Sequence, residues 1–250
     1  MVPNPVLTGR GMDVTLDSIR DIQLCQSKAG YRFSVDSLLL YDFVTLREAT
    51  GIADLGAGSG IIGILLAKKY PRASVDLFEI QDGLFRLAEK NVLLNHLEDR
   101  VKVSKCDLRT LPAPVPTSRC YDLIVSNPPF RRLQSGLLNT EEERAIARHE
   151  IKLSLREFID AAASLLKAKG RLCLIYHPSR LTELVDNLRG KNVEPKRLRF
   201  VHSTISSEAK MLLVEAVKGG RMGLRVEKPL YIYKEDGGYT DDMEKIYGVF

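Results

Sequence analysis

Gly51-Ile52-Ala53-Asp54-Leu55-Gly56-Ala57-Gly58-Ser59-Gly60 is the stretch that decides the fold of this 250-residue chain. A short apolar strand, Gly51 to Leu55, runs straight into glycines at alternate positions. Ile61, Ile62, Ile64, Leu65 and Leu66 then make a helix that ends near Lys68-Lys69-Tyr70-Pro71. Glycines so spaced let the backbone turn sharply and come close to a ligand, with the following helix pointing its N-terminus at it. Gly58-Ser59-Gly60-Ile61-Ile62-Gly63 also matches the dinucleotide fingerprint G-x-G-x-x-G, which would make Glu79 a ribose ligand. Asp54 at the strand end argues otherwise, because an acid there suits a positively charged or amino-bearing ligand better than a pyrophosphate.

Working outward, strands and helices alternate. Val75 to Phe78 is a strand ending at Glu79, Asp82 to Asn95 a helix, and Val101 to Val103 a strand followed by Cys106-Asp107. Leu111-Pro112-Ala113-Pro114-Val115-Pro116 is an extended connection, since its prolines exclude helix. It leads into the β-branched strand Leu123-Ile124-Val125, which stops at Asn127-Pro128-Pro129-Phe130. Arg131 to Glu150 reads as a long loop beside the site. Ser154 to Glu157 is a capping box whose helix carries Phe158, Ile159, Ala162, Leu165 and Leu166 and stops at Gly170. Leu172 to Tyr176 is a strand, Leu181 to Leu188 repeats at helical spacing, and Leu198 to Val201 and Met211 to Val217 are strands.

At the front, Asp17 to Phe33 reads as a hairpin turning at Ser27-Lys28-Ala29-Gly30. A helix capped by Ser34 follows, with Leu38, Leu39, Phe43 and Val44 on its apolar face. At the back, Pro229 to Tyr233 is strand-like and a short acidic helix follows Thr240. The pattern predicts an α/β, doubly wound, mostly parallel sheet with one antiparallel strand near an edge. It forms a single domain, with a hairpin region over 1–33, a core over 34–217 and a C-terminal extension over 218–250.

A hydrophobic content of 44% and a charged content of 28% are those of an ordinary folded protein, and the net charge of +5 permits an anionic partner without demanding one. Cys25, Cys106, Cys120 and Cys173 form no C-x-x-C pair, which points to reduced thiols and no metal site. His96, His149, His177 and His202 are at neither metal nor triad spacing. With no signal-like start and no apolar span, the expectation is a cytoplasmic protein without membrane contact.

Asn127-Pro128-Pro129-Phe130 is the second chemical feature. Two consecutive prolines stiffen a strand end that carries an amide at one side and a ring at the other, a pairing that a hydride-transfer site does not explain. Together with Asp54 to Gly60, Glu79 and Cys106-Asp107, in that order, it resembles the class I S-adenosylmethionine-dependent methyltransferases of the amino-methylating group. Three further segments are similar to the tRNA adenine-N6 methyltransferases that modify adenine 37 of valine tRNA: Gln26 to Asp36, Ala147-Arg148-His149-Glu150 and Asp236-Gly237-Gly238-Tyr239-Thr240.

The resemblance implies a Rossmann-like methyltransferase fold with a seven-stranded sheet, S-adenosyl-L-methionine as cofactor and tRNA as partner. It implies cofactor contacts from Asp54, Gly56, Gly58, Gly60, Glu79, Ile80, Cys106, Asp107 and Asn127. Asn127, Pro128 and Phe130 would act on an amino group, with Phe130 stacked on the base. Lys28, Arg32, Phe33, Pro129, Arg131, Arg132 and Arg148 would meet the RNA. The basic stretch Arg189, Lys191, Lys196, Arg197, Arg199 and Lys210 is in part a further phosphate surface. Glutamine methylation of a release factor and guanine-N2 methylation of ribosomal RNA share the Asn-Pro-Pro chemistry. A non-catalytic nucleic-acid-binding module is the alternative of a different class.

Overall fold

The apolar runs become the strands of one central sheet in the computed structural model, which describes residues 14–27, 35–111, 120–128 and 153–248. In chain order the elements begin with β1 (Val14–Ile19), β2 (Ile22–Ser27), α1 (Val35–Phe43), β3 (Gly51–Leu55), α2 (Ile61–Lys69), β4 (Ser74–Glu79) and α3 (Asp82–Leu94). They continue with β5 (Val101–Lys105), β6 (Tyr121–Ser126), α4 (Leu155–Leu165), β7 (Leu166–Tyr176) and α5 (Leu181–Gly190). The last are β8 (Val193–His202), β9 (Ala209–Lys218), β10 (Arg225–Val226), β11 (Leu230–Tyr231) and α6 (Asp241–Tyr247).

The large sheet has the order β10-β8-β9-β7-β6-β3-β4-β5, with β11 also paired to β8. Only β9 runs antiparallel to its neighbours, as expected. Among the described residues the sheet has nine strands rather than seven. The two extra are two-residue pieces of the tail that pair in parallel with β8: Leu230–Tyr231 falls within the strand-like Pro229 to Tyr233, whereas Arg225–Val226 is too short to carry an alternation signal. Leu123, Ile124 and Val125 are wholly buried, as a central parallel strand requires. One apolar core lies between the sheet and α1, α2, α3 and α6, and a second between the sheet and α4 and α5. Among the described residues no helix is long and apolar enough to cross a membrane.

Three elements differ from the sequence expectation. The hairpin turns at Arg20-Asp21, upstream of the expected turn, whose residues 28–30 lie outside the described residues. Arg20 takes a left-handed φ of 53°, and its guanidinium donates to the carbonyls of Ile246 at 2.5 Å and Lys245 at 3.3 Å, so the turn is held by the far end of the chain. The capping box at Ser154 and Glu157 forms, but α4 ends at Leu165. Leu166 already pairs with Tyr121, and Gly170 sits in an irregularity where a Cβ would come 2.9 Å from the Tyr121 and Lys167 carbonyls. The basic stretch is not a continuous surface. Arg197 is buried over the Phe43 ring, donates to Phe43 O and Thr45 Oγ1, and pairs with Glu215 and Glu227.

The hairpin forms its own two-stranded sheet, and a pair of α3 amides ties it to the core. Asn91, wholly buried, accepts from Cys25 N at 2.7 Å and donates to Cys25 O at 3.1 Å and to Ser59 O at 2.9 Å. One turn on, Asn95 makes the equivalent pair with Gln23 at 3.0 and 2.7 Å. Asn91 therefore joins the hairpin to the glycine turn. Asn91→Ala leaves buried backbone groups unpaired and is expected to lower stability by about 2–4 kcal/mol in thermal or denaturant unfolding. Asn95→Ala, whose partners are closer to water, should cost less.

Candidate active site

The carboxyl ends of β3, β4, β5 and β6 converge at one edge of the sheet. The chain runs outward from β3 through β4 to β5, then returns to lay β6 on the opposite side of β3. That reversal opens a crevice between the ends of β3 and β6, the usual ligand position in such sheets. Ser126 Oγ donates to Leu55 O at 2.6 Å and holds the two ends together.

The glycine turn lies on the β3 side. Gly58 and Gly60 take φ values of 58° and 85°, which a side chain would strain, and Gly60 leads directly into α2. Gly63, one turn into α2, is required by packing: a Cβ there would run into the buried Leu77 side chain. Two buried carboxylates hold the turn from beneath. Glu79 accepts from Gly58 N at 2.9 Å through Oε2 and from Ile80 N and Gln81 N at 2.9 and 2.8 Å through Oε1. Of its four acceptor positions, one on Oε2 is left, so a grip on two hydroxyls requires the Gly58 N–H to give way. Asp54 accepts from Gly63 N at 3.0 Å, while its other oxygen is buried without a hydrogen-bond partner. Burial raises its carboxyl from an ordinary 3.8 to about 7, against the Gly63 hydrogen bond and with help from the nearby Glu79 charge.

Beyond β5, Cys106 is half-buried and its backbone N–H donates to Glu79 O at 3.0 Å; burial pushes its thiol up. Asp107 follows and forms an exposed ion pair with Arg109, at 2.5 Å from Nη2. Ile80 is half-buried beside Glu79. On the β6 side Asn127 and Pro128 wall a small open pocket whose other polar residues are Asp36, His177 and Lys210, with apolar surface from Ile175, Tyr176 and Met211. In the sequence His177 is at neither metal nor triad spacing, and Lys210 belongs to a basic stretch. The end of β7 supplies the histidine and the start of β9 the lysine, an adjacency that only the antiparallel course of β9 creates. Asn91 and Ser126 likewise carry no local signal, for their partners lie on other elements.

Lys28, Arg32, Phe33, Pro129, Phe130, Arg131, Arg132 and Arg148 lie outside the described residues, as do the cap Ser34 and the expected loop from Arg131 to Glu150. Among the described residues no group of three or more His, Cys, Asp or Glu side chains could hold a metal ion.

The profile of the methyltransferase small domain matches residues 32–189, well over half of the chain. The chain belongs to this methyltransferase family. A relative from Porphyromonas gingivalis, a tRNA1(Val) (adenine(37)-N6)-methyltransferase, is 31% identical over 82% of this chain and 81% of its own length. One of the same description from Pedobacter heparinus is 29% identical over 89% of this chain and 92% of its own. The crystal structure of a predicted O-methyltransferase from Agrobacterium tumefaciens shares the fold, with a TM-score of 0.67, 23% identity, and coverage of 85% of this chain and 95% of that one. This methyltransferase uses S-adenosyl-L-methionine.

The donor set fits that cofactor. The orphaned Asp54 oxygen is an acceptor suited to an ammonium, and Glu79 retains an acceptor position for a hydroxyl. Open space lies where Cβ atoms of Gly56 and Gly58 would be, so a ligand can approach the turn closely. A carboxyl whose pKa is raised on folding stabilises the fold fully below its unfolded value, and that contribution is lost as pH rises through the folded value. For Asp54 the window runs from about pH 4 to about pH 7. Asp54→Asn, which cannot ionise, should therefore lose less stability than the native methyltransferase on going from pH 5 to pH 8. Melting temperatures of the cofactor-free proteins across that range check this, and parallel curves would contradict it.

Proposed function

We propose that the protein methylates the N6 amino group of an adenine in tRNA, at position 37 of valine tRNA, in the cytoplasm. The observation that carries this reading is the extent of the likeness. The Pedobacter heparinus relative named for that reaction matches over 89% of the chain, well beyond the 32–189 segment of the common methyltransferase domain. The hairpin and the tail are the parts free to select a substrate, and both lie on the same molecule as a site suited to a planar amino group.

S-adenosyl-L-methionine, when bound, supplies a methyl group made electrophilic by its sulfonium. In this reading Asp54, Gly56, Gly58, Gly60, Glu79, Ile80, Cys106 and Asp107 hold it, with Arg109 moving off Asp107 to free that carboxylate. Their pair being exposed, that movement costs little. Asn127 and Pro128 hold the acceptor. An adenine amino group is a weak nucleophile because its lone pair is delocalised into the ring. The Asn127 side-chain oxygen and the Pro128 carbonyl each accept one amino hydrogen, which favours a pyramidal nitrogen with its lone pair directed out of conjugation. Two prolines in succession make that platform stiff. Phe130 offers a ring face to the base. The alkylated nitrogen releases its proton readily, so no strong general base is needed. Lys28, Arg32, Phe33, Pro129, Arg131, Arg132 and Arg148 contact the RNA.

Asn127→Ala is expected to lower methyl transfer by roughly 100-fold or more while leaving cofactor affinity largely intact. Single-turnover transfer and calorimetric binding measure the two separately, and undiminished transfer would overturn the mechanism. Transfer of a labelled methyl group to total tRNA, ribosomal RNA and release factor, followed by nucleoside and amino-acid analysis, tests the substrate. Methylated adenine from tRNA is expected. Labelled glutamine or methylated guanine would replace this reading with one of its neighbours.

A further inference from the structure

The tail segment Asp236-Gly237-Gly238-Tyr239-Thr240 has no part in the chemistry above, yet it helps to build a cluster of partly exposed aromatic rings. Lys234 N donates to Gly238 O at 2.7 Å and Gly237 N to Lys234 O at 3.0 Å, closing a tight turn that brings Tyr233 and Tyr239 across from each other. Their rings stack at 5.3 Å with 16° between planes. Tyr247 of α6 lies against the other side of Tyr239, at 5.0 Å and 33°. The result is a ladder of three rings with Tyr239 in the middle, and Tyr233 and Tyr239 remain 40% and 38% exposed. Apolar surface of that size left in water asks for an explanation.

Its position supplies one. β8 runs parallel to β6 and β7, so its carboxyl end lies at the same edge of the sheet as Asn127. The tail leaves from that end: Leu230 and Tyr231 pair with Val201 and His202, and Tyr233 N donates to Ser203 O at 2.8 Å. α6 packs against α1, with Met243 and Ile246 in the core the two helices share, and Asp36 of α1 lines the Asn127 pocket. The ladder, carried by the segment after β11 and by α6, thus stands at the same edge of the sheet as the acceptor pocket.

We propose that this ladder is a stacking platform for unpaired nucleotides flanking the one whose base enters the Asn127 pocket, with the outer face of Tyr233 offered to a base and Tyr239, covered by rings on both sides, holding that ring in place. This rests on the reading of an RNA substrate and names the surface that orients it. A base flipped toward a pocket leaves its neighbours unstacked, and aromatic rings compensate them without regard to sequence. The charges nearby agree with contact through base faces rather than phosphates. Lys234 and Arg199 are paired with Asp241 and Asp242, and Asp236 accepts from Gly238 N. Glu235 and Glu244 repel a backbone from the rings themselves. Lys210, the member of the basic stretch that makes no ion pair or hydrogen bond among the described residues, lies instead in the pocket wall, where a phosphate beside the flipped base would pass.

The test measures binding of a fluorescently labelled anticodon stem-loop RNA to the full chain by anisotropy, with Tyr233→Ala, Tyr233→Leu, Tyr239→Ala and Tyr239→Phe. Affinity for S-adenosylhomocysteine is measured alongside as a check of folding. The alanine variants are expected to bind RNA roughly 5- to 100-fold more weakly, by a factor that hardly changes with salt. Tyr239→Phe should bind as the native protein does. Tyr233→Leu, which keeps apolar bulk in the tail but removes the ring face, should behave like Tyr233→Ala. Unchanged RNA affinity in Tyr233→Leu, or a loss in Tyr239→Phe as large as in Tyr239→Ala, would overturn the proposal while leaving the tRNA reading intact. A native protein that neither binds nor methylates RNA would overturn both.

Discussion

Everything at the active edge of this methyltransferase depends on how Glu79 receives three backbone N–H groups. Gly58, Ile80 and Gln81 all donate to one buried carboxylate, so the turn after β3 and the turn after β4 are shaped around the same two oxygens. Hydrogen bonds from neutral donors to a charged acceptor are the strong ones, and here they involve backbone, which no side-chain rotation can release. Asp54 holds the next turn of α2 by the same means through Gly63. The glycine turn is fastened below and open above, where Cβ atoms at Gly56 and Gly58 would meet nothing.

The second constraint is the distribution of chain ends over the sheet. Among the described strands of the large sheet only β9 is reversed against its neighbours, and its start carries Lys210 to the edge where β6 and β7 finish with Asn127 and His177. The same reversal sends β8 back toward that edge, and the tail continues from it. Parts of the chain a hundred residues apart therefore share one small area. Arg197 performs the complementary task in the interior. Its guanidinium lies over the Phe43 ring and donates to the Phe43 carbonyl near the C-terminus of α1, while Glu215 and Glu227 balance its charge. An arginine that composition alone assigns to a phosphate surface instead anchors α1 to the sheet.

The hairpin and the tail are integral to this arrangement. Ile19, Ile22 and Leu24 from the front, and Leu230, Ile232, Met243 and Ile246 from the back, lie in the same core as the helices covering the cofactor side. Arg20 joins the two extremities by donating to the last carbonyls of α6. Asn91 then links the hairpin to Ser59 of the glycine turn. The tail, the hairpin and the glycine turn are in this way connected through hydrogen bonds between elements distant in sequence.

By itself the sequence determined what local chemistry determines. Gly51 to Gly60 read as strand and glycine turn, Leu123 to Val125 as a buried strand, Asn127-Pro128 as its rigid end, and Ser154 with Glu157 as a helix start, because each signal lies within a few adjacent residues. The course of the core strands and the single antiparallel strand followed from the order of such segments. Only the tertiary structure decided the turn at Arg20-Asp21, whose left-handed residue is held by carbonyls more than two hundred positions away. It alone added β10 to the sheet, buried Arg197, occupied most of Glu79 with backbone, and brought Asp36, His177 and Lys210 to Asn127. These depend on which chain ends meet at one edge of the sheet, and contacts between residues distant in sequence leave no periodicity for a reader of the sequence to find.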